Sequence, residues 1–268
     1  MSHILEIKDL QVQYHTEDGT VYALNHVDLE LDDGETLGLV GETGAGKTTL
    51  AKSIMRLIPD PPGKIEGGVI EFEGRDLLKA SGAEIRAVRG NQISMIFQDP
   101  MSSLNPVVRV GEQIAEVIRV HEKCTKKEAE EKAMEMLETV GIPAERAGDF
   151  PHQFSGGMKQ RVGIARAYAA DPKLLIMDEP FGQLDAQTRY QMQEEILRIW
   201  EKEKRTVIFV TNNIEEACYL GDRIILLSDC PATVKEVYPI SIPRPRDMVS
   251  GEFLKLRTVI SDNTDLAI

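Results

Sequence analysis

The sequence is poor in the features that staple small folds or anchor a chain in lipid. It carries three cysteines, Cys124, Cys218 and Cys230, in 268 residues. They are odd in number and widely spaced, and no C-x-x-C pair occurs. That argues against a disulfide framework or a zinc site and fits reduced thiols in a cytosolic protein. Long apolar runs are missing: Leu37–Val40 and Ile224–Leu227 fall far short of the roughly 20 residues that a bilayer span needs. The opening MSHILEIKDL has no basic region followed by an apolar stretch, so no signal peptide is expected. Basic charge is also in deficit. Lys and Arg total 31 against 44 Asp and Glu, a net charge of −13. A nucleic-acid binder usually carries a basic face, so that class is disfavoured. An anionic ligand is still compatible, because backbone dipoles hold phosphate even in an acidic protein. Hydrophobic residues at 42% and charged residues at 28% describe a globular chain that buries about three quarters of its unfolded surface.

Residues 4–14 and Val21–Leu31 alternate apolar and polar around an Asp18-Gly19 turn, the pattern of an antiparallel hairpin with Val21, Ala23, Val27, Leu29 and Leu31 on one face. Thr36–Val40 is a short, continuous apolar strand of the kind buried on both faces. A glycine-rich loop follows, then a helix from Thr48 to about Ile58, ended by Pro59, Pro61, Pro62 and Gly63. Further strands are expected at Val69–Phe72, Ile93–Phe97, Leu174–Met177, Val207–Thr211 and Arg223–Ser228. Helices are expected at 111–120, after a Thr125/Glu128 capping box, from Ser155 to about Ala170, and at Thr188–Lys204. Strands alternating with helices imply parallel pairing. The proline-bearing segment from 231 reads as a tail of short strands and loops with a last helical piece near Glu252–Ile260. Arg244 and Arg246 read as exposed tail charge.

Three motifs carry chemistry. Gly41-Glu42-Thr43-Gly44-Ala45-Gly46-Lys47-Thr48 fits the P-loop pattern between a buried strand and a helix. Its glycines let backbone N–H groups converge on phosphate, Lys47 brings a charge to the β- and γ-phosphates, and the Thr48 hydroxyl suits Mg²⁺. Leu174–Met177 runs into Asp178 and Glu179 at the carboxyl end of a strand. Asp178 is placed to hold Mg²⁺, and Glu179 to polarise an attacking water. Ser155-Gly156-Gly157 opens a helix with exposed amides, a second anion site that makes sense if it serves a nucleotide held by another copy.

This order of P-loop, Gln98, Ser-Gly-Gly and Asp-Glu resembles the ATP-binding cassette (ABC) ATPases over about residues 4–230. The resemblance implies an α/β fold: a P-loop NTPase core with an antiparallel β subdomain and a helical subdomain at about 91–165, and a tail at 231–268. It implies Tyr14 as the aromatic stacked on adenine and Gly41 to Thr49, with Thr49 included, as the phosphate-binding Walker A loop. Gln98 becomes the Mg²⁺-sensing glutamine that couples to the membrane partner. Ser155, Gly156, Gly157 and Met158 become the signature that contacts γ-phosphate in trans. Asp178 matches the Walker B acid and Glu179 the catalytic base, and Gly182 to Asp185 form a loop at the dimer seam.

Phe97-Gln98-Asp99-Pro100-Met101-Ser102-Ser103-Leu104-Asn105-Pro106 and Phe150–Met158 look like the peptide/nickel importer ATPases. Pro180–Arg189 and Ile242–Arg246 look like the nitrate/sulfonate/taurine importer ATPases. The resemblance therefore implies an ATP- and Mg²⁺-dependent subunit at the cytoplasmic face of the membrane. It would work as a dimer with separate permease subunits and, indirectly, a solute-binding protein. The alternatives are the nitrate-type importers and a non-transport module that uses ATP to dimerise. The family's histidine after the last core strand is replaced: Thr211-Asn212-Asn213 puts Asn212 there. A carboxamide can donate to phosphate but carries no charge, so ATP binding is expected intact and hydrolysis slow.

Overall fold

A computed structural model of the protein describes residues 3–98 and 104–264, apart from the side chains of Glu201 and Lys202. In chain order the elements begin with β1 (Leu5–Thr16), β2 (Gly19–Leu31), β3 (Thr36–Val40), α1 (Lys47–Ile54), β4 (Gly63–Phe72), β5 (Arg75–Asp76), α2 (Gly82–Val88) and β6 (Ile93–Ile96). They continue with α3 (Val110–His121), α4 (Lys126–Thr139), α5 (Gly156–Tyr168), β7 (Leu174–Asp178), α6 (Ala186–Glu203) and β8 (Thr206–Thr211). The last are α7 (Ile214–Leu220), β9 (Arg223–Leu227), β10 (Val234–Pro239) and α8 (Gly251–Ser261). Residues up to Arg86, together with those from Thr206 on, form one compact unit, and Ala87–Arg205 form the other.

In the first unit β2, β1, β4 and β5 make an antiparallel sheet in that order. Leu5, Ile7, Leu10 and Val12 are buried along β1, each contributing about 1.5–3 kcal/mol of hydrophobic stabilisation. The alternation slips by one between Ile7 and Leu10, where the β1–β2 register shifts. Asp9 and His26 sit there at φ 53° each, hydrogen-bonded to each other. A bulge of this kind turns the following residues to the opposite phase. It explains why Leu24 is buried although the simple alternation leaves it out, and Val21, expected inside, is 46% exposed near the hairpin tip.

A second sheet of the same unit has β3 between the parallel neighbours β8 and β9, with β10 antiparallel on β9. β3 and β8 are buried at every position, as strands covered on both faces must be. The helix α1 stops at Ile54, short of the expected Ile58. Arg56 adopts φ 50°, and the Leu57 amide reaches back to the Lys52 carbonyl at 2.8 Å. This left-handed C-terminal cap ends the helix before the prolines are reached.

The segment from 231 departs from the expectation of a separate tail of exposed charge. Instead β10 pairs with β9, and α8 packs on α7. Arg246 is buried, and its guanidinium donates to the carbonyls of Cys218, Tyr219 and Gly221 at the end of α7. Arg244 pairs with Asp222 at 2.8 Å and donates to the Leu220 carbonyl. The physical reason is that a helix end leaves carbonyls without partners, and a planar five-donor group satisfies several at once. Burial, aided by the neighbouring Arg244, lowers the Arg246 pKa to about 10, which leaves it charged at neutral pH.

In the second unit β6 and β7 pair in parallel. Helices α3, α4 and α5 pack on one another, and α5 also packs on β6 and α6. The capping box forms: Thr125 Oγ1 accepts from the Glu128 amide, and the Glu128 carboxylate accepts from the Thr125 amide at 2.7 Å. On α4 Ala129, Ala133 and Leu137 are buried, whereas Met134 and Met136 are only half-buried.

The thiols differ in environment. Cys218 is buried and its pKa is pushed up to about 12 by desolvation, while Cys230 is exposed. Maleimide labelling of the native chain at pH 8 is therefore expected to modify Cys230 and leave Cys218 unmodified until denaturant is added. Peptide mass mapping reads this; rapid labelling of Cys218 under native conditions contradicts the packing of α7.

Candidate functional site

The phosphate loop of the first unit leads directly out of its strand. Val40 ends β3, and Gly41 is packed so that a Cβ would lie 3.2 Å from the Leu227 carbonyl. Gly46 is at φ 79°, and a Cβ there would meet the Ala23 carbonyl at 2.8 Å. Only glycine satisfies both demands. Lys47 is buried, and its Nζ donates to the carbonyls of Gly41 and Glu42 at 2.7 Å each, which holds the ammonium across the loop. Thr43 and Gly44 are exposed at the tip, Ala45 is buried, and Thr48 and Thr49 are half-buried on α1. The Tyr14 hydroxyl lies 3.3 Å from Thr49 Oγ1, and its ring lies where a Gly63 Cβ would be 2.7 Å from it.

The N-terminus of α1 carries no side-chain cap and no acidic residue in its first turn. The contrast within the protein is informative. α4, α5, α6, α7 and α8 are capped by Thr125, Ser155, Asp185, Asn213 and Ser250 respectively, and α3, which also lacks a side-chain cap, carries Glu112 in its first turn. Uncapped amides at the positive end of a helix, with a lysine beside them, are the donor set an oligophosphate requires.

At the end of β8, Thr211 Oγ1 donates to Glu216 Oε2 at 2.7 Å and accepts from the Asn213 amide at 3.0 Å. Asn212 stands between them, half-buried, and its Oδ1 is buried without a hydrogen-bond partner among the described residues.

In the second unit β7 delivers Asp178 buried and Glu179 half-buried. Glu179 has φ 46°, a conformation that a non-glycine residue adopts at a cost and that marks functional turns. Gln98 Nε2 donates to Glu179 Oε2 at 2.8 Å, so two residues far apart in sequence meet. The Asp99–Ser103 part of the peptide/nickel-like segment lies outside the described residues.

Ser155 is the N-cap of α5 and accepts from the Met158 amide at 3.4 Å. Gly156 is exposed, and Gly157 lets α6 approach, since a Cβ there would be 2.7 Å from Thr188 Cγ2. Asp185 caps α6 by accepting from the Thr188 amide at 3.0 Å, and Thr188 holds its carboxyl below the usual range.

Arg146 escaped the sequence reading. Its guanidinium lies 4.2 Å from the Phe154 ring centroid, contacts Asp149 at 2.8 Å and the Gln153 carbonyl at 3.0 Å, and reaches Met158 Sδ at 3.4 Å. It holds both flanks of the Ser155 turn. An arginine shortly before a Phe-Ser-Gly-Gly run was the available signal.

The ABC transporter family model matches residues 24–182. The chain belongs to the ABC transporter family. Among its relatives, this ABC family member is 47% identical over 229 residues to the oligopeptide transport ATP-binding protein OppD of Bacillus subtilis (85% of this chain, 64% of that protein). It is 42% identical over 229 residues to the dipeptide transport ATP-binding protein DppD of the same organism (85% of this chain, 68% of that protein). The chain thus spans about two thirds of the length of these relatives. Among solved structures it resembles a dimeric bacterial ABC transporter cassette with a TM-score of 0.77 and 27% identity, covering 88% of this chain and 98% of that one. A dimeric post-hydrolysis cassette bound to ADP and Pi gives a TM-score of 0.77 at 26% identity over the same shares. The fold is therefore the ABC ATPase fold expected from the motifs.

The residues fit Mg²⁺ by donor chemistry. Thr48, Gln98 and Asp178 offer hard oxygen donors. Among the described residues no group of three or more His, Cys, Asp or Glu forms a self-contained metal site. No described helix is long and apolar enough to cross a membrane.

Proposed function

We propose that the chain is the ATP-hydrolysing subunit of a peptide-type importer. The observation that carries this reading is the uncapped α1 behind a glycine loop with Lys47 held across it. The likeness to peptide transport ATP-binding proteins supports the solute class. In this reading the loop amides and Lys47 bind the β- and γ-phosphates, and Tyr14 stacks on adenine. Thr48, Asp178 and Gln98 would be the residues that hold Mg²⁺, and the chemistry it would supply is neutralisation of charge on the phosphate oxygens. Glu179 accepts a proton from the attacking water, and the Gln98 amide keeps that carboxylate oriented. Asn212 donates its amide to the γ-phosphate. Ser155, Gly156, Gly157 and Met158 serve the nucleotide of a second copy, with Asp185 at the seam. The partners are that second chain, integral-membrane permease subunits and, through them, a peptide-binding protein. The chain then works at the inner face of the membrane.

Phosphate release by the purified chain, alone and reconstituted with its membrane partners, tests this. Expected is Mg²⁺-dependent release that rises with the partners present and with peptide-loaded binding protein. Absence of ATP binding contradicts the reading outright. Asn212→His is expected to raise turnover several-fold, because a charged donor bonds phosphate about twice as strongly as a neutral one. An unchanged rate removes the argument about charge.

A further inference from the structure

Among the described residues Asn212 does not fix its own place through its side-chain oxygen, because Oδ1 is buried without a partner there. Its position is dictated by the backbone on either side. That backbone is tied to α7: Thr211 bonds Glu216, and the Asn213 side chain accepts from the Glu216 amide at 3.2 Å. A helix of seven residues is too short to persist on its own in water. Its buried face packs on β3, β8 and α8, and its other end is held by hydrogen bonds. Arg246, only 6% exposed, donates through Nη1 to the carbonyls of Cys218 at 2.9 Å, Tyr219 at 3.0 Å and Gly221 at 2.6 Å. Its Nε donates to the Ile242 carbonyl at 2.9 Å, which roots the guanidinium in its own segment. Arg244 takes the Leu220 carbonyl and Asp222, and Arg257 of α8 pairs with Glu215 at 2.8 Å. Three arginines of the C-terminal segment thus hold a single short helix, and Arg246 alone covers three of its last carbonyls.

We propose that Arg246 is a positioning residue for Asn212: by clamping the C-terminal end of α7 it fixes the turn that presents Asn212 to the γ-phosphate. The proposal rests on the reading of Asn212 as a phosphate contact. It gives the C-terminal segment a role in the rate of hydrolysis rather than in folding alone. Arg246 touches no reacting atom, so its effect must pass through Asn212, and this makes it separable from a general loss of stability.

The test is a double-mutant cycle on the full chain with Arg246→Lys and Asn212→Ala. Lysine keeps the charge but has no Nε, so it loses the bond to the Ile242 carbonyl that roots the guanidinium and sets where Nη1 sits. Amide hydrogen exchange and ATP kinetics are read at a temperature well below melting. Expected for Arg246→Lys is exchange about tenfold faster at 212–221, with the β3 amides unchanged. Its kcat should fall about fivefold, with KM within about twofold. In the Asn212→Ala background the same change should lower kcat no further, because coupled residues are not additive. The proposal is overturned if Arg246→Lys loosens α7 but leaves kcat intact, if it moves KM instead, or if it costs as much without Asn212 as with it. Wild-type turnover by Asn212→Ala overturns the underlying phosphate contact instead, a distinct result. Should Arg246→Lys fail to fold, Arg244→Lys repeats the cycle at the Leu220 carbonyl, with the same outcomes deciding.

Discussion

Glu179→Gln is expected to lower ATP turnover about 1,000-fold while leaving nucleotide affinity near the wild-type value. General base catalysis is worth about 10²–10⁴ in rate, and the amide of glutamine cannot take a proton from water. The substitution preserves shape. Gln98 Nε2 donates to Glu179 Oε2 at 2.8 Å, and a glutamine side-chain oxygen can accept the same bond. Single-turnover phosphate release, with binding of a fluorescent ATP analogue measured in parallel, checks both halves. A variant that hydrolyses at the wild-type rate removes Glu179 from the base role, and one that no longer binds points to a structural role for the carboxylate.

Lys47→Ala is the second large effect. Lys47 is 5% exposed and spans the loop between the Gly41 and Glu42 carbonyls. Its removal takes away the ammonium proposed to bind the phosphates and leaves the Gly41 and Glu42 carbonyls without that donor. A bond to a charged group contributes about 1.5–3 kcal/mol, so ATP affinity is expected to fall about 100-fold. Calorimetric titration with MgATP, beside a melting curve for the free variant, separates the lost contact from a collapsed loop. Affinity within about threefold of wild type would show that the loop amides alone carry the phosphates.

The parts of the site that were legible in the sequence are the local ones. The phosphate loop, the Asp178-Glu179 pair and the Ser155 turn each lie at a strand or helix end within a few residues. Spacing alone then states the geometry. The capping box at Thr125 and Glu128 was legible for the same reason. What escaped depends on contacts between distant segments. Arg246 reads as tail charge until its carbonyl partners, between 25 and 28 residues upstream, are brought to it. Arg146 reads as one more surface cation until Phe154 and Met158 close around it. Val21 fits the inward phase of β2 until the bulge at Asp9 and His26 shifts the register. The early stop of α1 depends on Arg56 accepting a left-handed backbone. Its Nη1 donates to the Ala80 carbonyl at 2.5 Å, a partner that the run of prolines after it hides. The resemblance gave Gln98 and Glu179 separate roles, and no spacing rule announced that they meet.

The central claim is that a single chain holds only half of each working site, the other half being the Ser155 turn of a second copy. Sedimentation equilibrium of the Glu179→Gln chain at saturating MgATP tests it most directly. The account predicts a monomer without nucleotide, a dimer with it, and reversion to monomer when Ser155 is also changed to arginine. A species that stays monomeric with ATP bound, or a dimer indifferent to both the nucleotide and residue 155, contradicts it.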